Sequence, residues 1–493
     1  MSGLTTVMRG QSFVRLLIFC ALALAGAAEV NAQASGGRVV MDIPGYPVVF
    51  ELNEGEDHTI SRSYKGRSVE RTIRLISVKH FAEDNLWFSG DLGSENYSKA
   101  EVVIEVSGKR VTLLHRPYES PRVVNGLRVY VETTKEWAEN AAYADLKDVA
   151  RTVRLSVCLE GEPWGPVGVL FPISAYRWRS AVYNNTWSGL VPYNQLYYHR
   201  GEDYGAIPDR LDVVAPVDGT IVGTPLPDGD GQSNAIFVAN ADSIVFRISH
   251  MNTETIRKEY TKGTRVTAGT VLAKTGMTWS GRKSQVSDPH CHIDINYRGT
   301  KLASFPYLIE AYLRRYDDPV LAVAGGYQFA MSGTKVTLDA NRSLAGAGEK
   351  IASYAWKLHN GKTVRSPVTR LKYDKPGVYT EELIVTTESG AQDRDFVQVR
   401  IYEEAQNRSD LSYGWAFYSP VRNIMPGTEV LFWNRLVRTN APVTIDFGDG
   451  SAAETIGREL THTYKNKGNY TVTLSSRDKG GNPVTVKLEV KVE

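Results

Sequence analysis

Strand periodicity is the feature that most limits what this chain can become. Residues 100–114, AEVVIEVSGKRVTLL, alternate apolar and polar side chains, with Ser107-Gly108 as a turn. Residues 126–134, GLRVYVETT, do the same. Alternation with a period of two places every second side chain on one face, so such text folds as half-buried antiparallel strands. Helical stretches are few. The pattern predicts one at Thr134–Ala150 and a short amphipathic one at Pro306–Tyr316. The expected class is mainly β.

At 493 residues the chain exceeds one ordinary domain. Residues 36–165 read as an N-terminal β-sandwich-like accessory domain without a chemical motif. Residues 166–196 are a connector rich in Gly, Pro, Asn and Trp, and a block at 197–316 holds the chemistry-bearing residues. Residues 318–404 and 410–493 form a faint repeat. Each unit has a strand, a turn, and then Gly-x-Tyr opening another strand, as at Gly377-Val378-Tyr379 and Gly468-Asn469-Tyr470. That spacing suits tandem Ig-like β-sandwiches. The second unit carries Asp446-Phe447-Gly448-Asp449-Gly450, which is read as a turn, not as a calcium loop.

Residues 1–32 have the form of an export signal. Arg9 and Arg15 precede an apolar run from Leu16 to Ala28, and Val30-Asn31-Ala32 offers a cleavage site before Gln33. No later segment is long and apolar enough to span a bilayer. The expected location is the cell envelope or the medium. The 57 basic and 55 acidic residues nearly cancel, which argues against a nucleic-acid partner. Without Cys20, Cys158 and Cys291 remain, and they are read as two unlinked thiols.

The chemistry gathers on four of the chain's nine histidines. His290 and His292 stand two apart in a strand, so their imidazoles share a face while Cys291 points away. His199 and Asp203 stand four apart in a turn-rich stretch. His250 ends the apolar strand of IVFRISHMN. Two neutral imidazoles and one carboxylate would hold zinc with a position left open, the pattern of a catalytic centre. Remaining histidines could move protons and stabilise an oxyanion. No Ser-His-Asp set or phosphate-cradling glycine loop competes.

In order and spacing the block resembles the lysostaphin/LytM-type zinc endopeptidases of bacterial cell walls. The residues that carry the likeness are His199-Arg-Gly-Glu-Asp203, APVDGTIV at 215–222, His250-Met251, KGTRVTAGTVLAKTG at 262–276, and Pro289-His290-Cys291-His292. The resemblance implies one Zn2+ per chain on His199, Asp203 and His292. It implies His250 and His290 as the catalytic pair, and a structural hairpin across Val266–Leu272. Departures are an extra residue after Asp203, Asp288 in place of glycine, Cys291 in place of an aliphatic residue, and a loop at Gly276–Ser287 carrying Trp279, Arg282 and Lys283. The C-terminal units resemble polycystic-kidney-disease (PKD) sandwiches, which implies spacers or contacts for glycans or proteins. A chain ending near Asp318 is therefore expected to keep its turnover.

The substrate implied is the peptide of peptidoglycan. Alternatives are another extracellular protein, or no substrate at all in an envelope scaffold or activator on a degenerate peptidase fold. The segment entering His199 is a candidate restraint, with Asn184, Asn185 or Asn194 able to reach the open metal position.

Overall fold

The computed structural model describes residues 36–82, 97–139, 148–180, 182–183, 185–192, 196–226, 234–279, 288–403 and 412–493. The export-signal segment, Asn184, Asn194, Arg282 and Lys283 lie outside them. Strands dominate, as the alternation requires. No helix among the described residues is long and apolar enough to cross a membrane.

The N-terminal part is a sandwich. One sheet contains Arg38–Met41, Val48–Leu52, Val153–Leu159, Leu127–Thr134 and Arg122–Val124. The facing sheet contains Asp57–Tyr64, Arg67–Ala82, Tyr97–Val106 and Lys109–His115. Phe50, Ile73, Ile104 and Leu155 fill the space between. Of the helix expected at Thr134–Ala150, Lys135–Glu139 is helical, and residues 140–147 lie outside the described residues. Trp137 is buried against Tyr97 and Tyr198, and by Val149 the chain is no longer helical.

The connector is not a surface linker. Phe171, Ile173, Trp178 and Trp187 are buried in one core with residues of the N-terminal sandwich and of the block that follows. That block is an antiparallel sheet in the order Glu202–Gly205, His290–Tyr297, Ile244–Ser249, Ile236–Ala239, Gly219–Gly223 and Arg265–Val266. The helix Phe305–Tyr316 closes it, with a left-handed cap at Asp317. The hairpin expected across Val266–Leu272 does not form as one unit. Arg265–Val266 joins the main sheet beside Gly219–Thr220, whereas Val271–Lys274 pairs with Asp212–Val214. The turn between them is pinned by Gly269 N–H to Ala215 O, and its two arms then diverge.

Both C-terminal units are sandwiches that share a sheet. In the first unit Gln392–Tyr402 lies between Gly326–Met331 and Gly377–Thr387. The sheet continues into the second unit where Val378 pairs in parallel with Val484 of Pro483–Val492. Asp446 and Asp449 bond to Gly448 N–H and Ser451 N–H, as in a tight turn.

Candidate metal centre

Register creates the site. Asp203 pairs with His292 across adjacent antiparallel strands, and Ser249 pairs with His292 on the other side. His250 follows Ser249 with φ 62°, a left-handed conformation rare outside glycine and frequent where function imposes a backbone geometry. All five sequence-predicted residues come together here. His199, Asp203, His250 and His290 are buried and His292 nearly so.

Three donor atoms meet. His292 Nδ1 is 2.8 Å from Asp203 Oδ1 and 3.0 Å from His199 Nε2, and His199 Nε2 is 3.1 Å from Asp203 Oδ1. The far nitrogens fix the tautomers. His199 Nδ1–H donates to Gly201 O at 2.8 Å, so Nε2 presents a lone pair. His292 Nε2 faces Asp294 Oδ2 at 3.3 Å, which leaves Nδ1 as the inward nitrogen. Two lone pairs and a carboxylate thus converge on one point, and a proton or a cation must neutralise them. Donors around a tetrahedral zinc stand about 3.3 Å apart for bonds of about 2.0–2.1 Å, so the three present fit such an ion.

The electrostatics carry the same sign. Burial would raise the Asp203 carboxyl, but the His199 and His290 imidazoles hold it well below its usual range. Burial disfavours a charged His292, yet Asp203 and Asp294 outweigh it and raise its pKa. Burial lowers His199, which Asp203 opposes only in part.

His250 and His290 are held as a second pair, ring centroids 4.5 Å apart. Each donates Nδ1–H to a backbone carbonyl at 2.7 Å, His250 to Thr278 and His290 to Asp288. Nε2 is then the basic nitrogen of each. His290 Nε2 lies 3.6 Å from Asp203 Oδ1. Both are depressed below the ordinary histidine value, His250 strongly. Burial is the main cause for each, and the neighbouring imidazoles add to it. Trp279, 53% exposed, stacks on His250 at 5.3 Å and forms the rim.

Gly201 in the His199–Asp203 stretch has a steric duty. A Cβ there would come within 2.6 Å of His292 Cε1 and 2.7 Å of Ile293 O. Glu202, the carboxylate next to Asp203, points away and accepts from Trp187 N–H at 2.9 Å. Cys158 and Cys291 are buried free thiols.

Sequence reading missed several residues. Asp294 was readable, since the same alternation that pairs His290 with His292 puts it on their face. Asn185 is the one of the three candidate restraints, Asn184, Asn185 and Asn194, that lies among the described residues, and its amide oxygen does not face the open position. Its Nδ2 donates to Asp203 Oδ2 at 2.7 Å, and its Oδ1 accepts from Tyr327 O–H at 2.7 Å, so its oxygen is turned away from the donors. The connector is stitched to the site by backbone bonds, Asp203 N–H to Asn185 O at 2.8 Å and His199 N–H to Gly189 O at 2.7 Å. Tyr183 packs on the His290 ring at 4.6 Å and on Trp415 at 4.6 Å. Trp415, Phe417 and Trp433 of the last unit cluster with Ile207 and Met277 beside the site. Long-range partners such as these leave no local pattern.

Residues 197–304 match the model of peptidase family M23, and residues 316–401 and 422–492 match the PKD domain. Among solved structures, one assigned as the glycyl-glycine endopeptidase lytM of Ruminococcus gnavus ATCC 29149 aligns at 22% identity and TM-score 0.20. The alignment covers 24% of this chain, which spans about half of that one, 47%. The fibronectin(III)-like modules of Clostridium thermocellum CbhA align at 12% identity over 35% of this chain and 94% of theirs, TM-score 0.14. A mixed-linkage glucan protein of Bacteroides ovatus, SGBP-B, aligns at 16% identity over 34% and 43%, TM-score 0.15. The two family matches carry the assignment: the chain contains a peptidase domain of family M23 followed by PKD domains.

Proposed function

We propose that this chain is an exported zinc-dependent endopeptidase that hydrolyses peptide bonds in bacterial peptidoglycan. The observation that carries the reading is the convergence of His199 Nε2, Asp203 Oδ1 and His292 Nδ1, all within 4.8 Å, inside the M23 match. The preference for a cell-wall substrate rests on the resemblance of the motifs to LytM-type enzymes and on the export signal read in residues 1–32.

A zinc ion on those three residues supplies Lewis acidity toward a carbonyl and acidifies water near neutral pH. The protein does the rest. Asp203 contributes the negative charge and His199 and His292 the neutral donors. His290 and His250 offer Nε2 toward the same space, with Nδ1 already committed to a carbonyl. Either can take the proton of the attacking water and return it to the leaving amine. Whichever carries the proton can hold the developing oxyanion. Burial lowers the pKa of both, which favours the neutral form of each imidazole. Trp279 on the rim provides an apolar face for the substrate next to His250.

Incubation of the purified chain with cell walls and, separately, with casein tests the reading. New amino groups should appear from walls and be suppressed by a chelator. Release from casein alone would move the substrate to extracellular protein. Release from neither, by zinc-loaded protein, would favour a non-catalytic envelope role.

A further inference from the structure

We propose that Tyr327, in the first PKD domain, is a positioning residue for the metal centre, acting on Asp203 through Asn185. The inference rests on the zinc reading above.

A carboxylate ligand has two oxygens, and its aim depends on what holds the second. Asp203 Oδ1 faces the histidine donors, and Oδ2 accepts from Asn185 Nδ2 at 2.7 Å. An asparagine amide has two ends of nearly equal shape, so its orientation is fixed only when both find the right partner. Tyr327 supplies that partner, with its hydroxyl 2.7 Å from Asn185 Oδ1 and 3.3 Å from Leu190 O. The Asp203 carboxylate, an acceptor only, takes the N–H end of the amide, and the Tyr327 hydroxyl donates to the oxygen end and holds it in that orientation. Asn185 also accepts the backbone N–H of Asp203, so the same residue sets both the main chain and the side chain of the ligand.

The anchor belongs to the PKD fold. Tyr327 sits on Gly326–Met331, which runs parallel to Gln392–Tyr402 with Tyr327 opposite Gln398. Its ring packs edge-on against Phe329 at 5.6 Å and under the Arg400 guanidinium at 5.2 Å. One residue before it, Gly326 N–H is fastened to Ser180 Oγ of the connector at 2.9 Å. The strand and the connector are thus held together on the approach to Asn185. Outer hydrogen bonds to metal ligands commonly govern affinity by roughly 10–100-fold.

The test uses the full chain. Zinc affinity is measured by competition with a chromogenic chelator, and the visible spectrum of the cobalt(II)-substituted protein is recorded. The variants are Tyr327→Phe, Asn185→Ala and the pair, with Tyr379→Phe as control. Tyr379 lies in the same domain and its hydroxyl bonds to Lys375 O at 3.0 Å. Tyr327→Phe should weaken zinc by about tenfold and alter the cobalt spectrum. The double variant should be no worse than Asn185→Ala, because the two residues form one relay. Tyr379→Phe should match the unmodified chain in both measurements. Unchanged zinc affinity and cobalt spectrum in Tyr327→Phe, with zinc bound normally by the unmodified chain, would overturn the positioning role alone. Additive losses in the double variant would overturn it as well. An unmodified chain that takes up no zinc would overturn the zinc reading and this inference together.

Discussion

Asp203 and His292 face each other across two antiparallel strands, Oδ1 to Nδ1 at 2.8 Å. His290, on the same strand face, instead pairs with the backbone position of Gly205 and keeps its Nε2 3.6 Å from that oxygen. The two histidines should therefore separate by substitution. His292→Ala removes a donor, and zinc content and turnover should fall together. His290→Ala and His250→Ala should keep zinc while turnover falls about a hundredfold or more. Metal analysis and turnover on the same preparations decide the matter. Zinc lost from His290→Ala and kept in His292→Ala would reverse the roles.

Gly201 offers a steric test. The added Cβ of Gly201→Ala would meet His292 Cε1 at 2.6 Å and Ile293 O at 2.7 Å, and neither sheet nor imidazole can yield cheaply. Overpacking of this kind costs about 1–3 kcal/mol. The expected result is a folded chain with a lower melting temperature and poor zinc retention. Full zinc occupancy in the variant would show that the imidazole has room to move.

A chain ending at Asp318 should not keep its turnover, contrary to the expectation from sequence. Arg179 is buried and pairs with Asp393 at 2.8 Å and Glu489 at 2.6 Å, one from each C-terminal unit. Truncation removes both partners and uncovers this stretch of the connector. The truncation also removes Tyr327 and the Trp415–Phe417 face beside Ile207. Calorimetry should show a large drop in melting temperature or aggregation. A truncated chain with near-native melting and turnover would refute the point.

Stability should also carry a pH signature from Glu132. Burial pushes its carboxyl from 4.5 up to about 7, against the lowering effect of Arg154 and of the Ser156 hydroxyl. The folded chain holds a proton that the unfolded chain has released, so this contribution is complete below pH 4.5 and is lost as pH rises through 7. The loss is about 3 kcal/mol by linkage. Urea unfolding at pH 5 and pH 8 should show a steeper decline in the unmodified chain than in Glu132→Gln. Equal slopes would assign Glu132 an ordinary pKa.

How much of this was legible beforehand follows from distance along the chain. His290 and His292 share a face because of local spacing, and residue types two apart reveal it directly. The pairing of Asp203 with His292 needs strand register, which only the order of the motifs suggested. The Thr278 and Asp288 carbonyls that fix the tautomers of His250 and His290 carry no side-chain signal at all. Asn185 stood in the text as a polar residue near His199, but its partner Tyr327 lies 142 residues away. The mistaken hairpin at Val266–Leu272 had sound turn chemistry. What failed was the assumption that two strands joined by a turn must pair with each other.

The sheet shared by the two PKD domains has a mechanical consequence. Pro483–Val492 is bonded to Gly468–Arg477 through ten consecutive register pairs, and it meets Gly377–Thr387 in parallel at Val378. Tension applied along the last strand loads those bonds side by side, in shear, instead of opening them one after another. A tether at the C-terminal end would then load ten bonded positions of the last unit at once before any strain reached the single pair that joins it to the first unit.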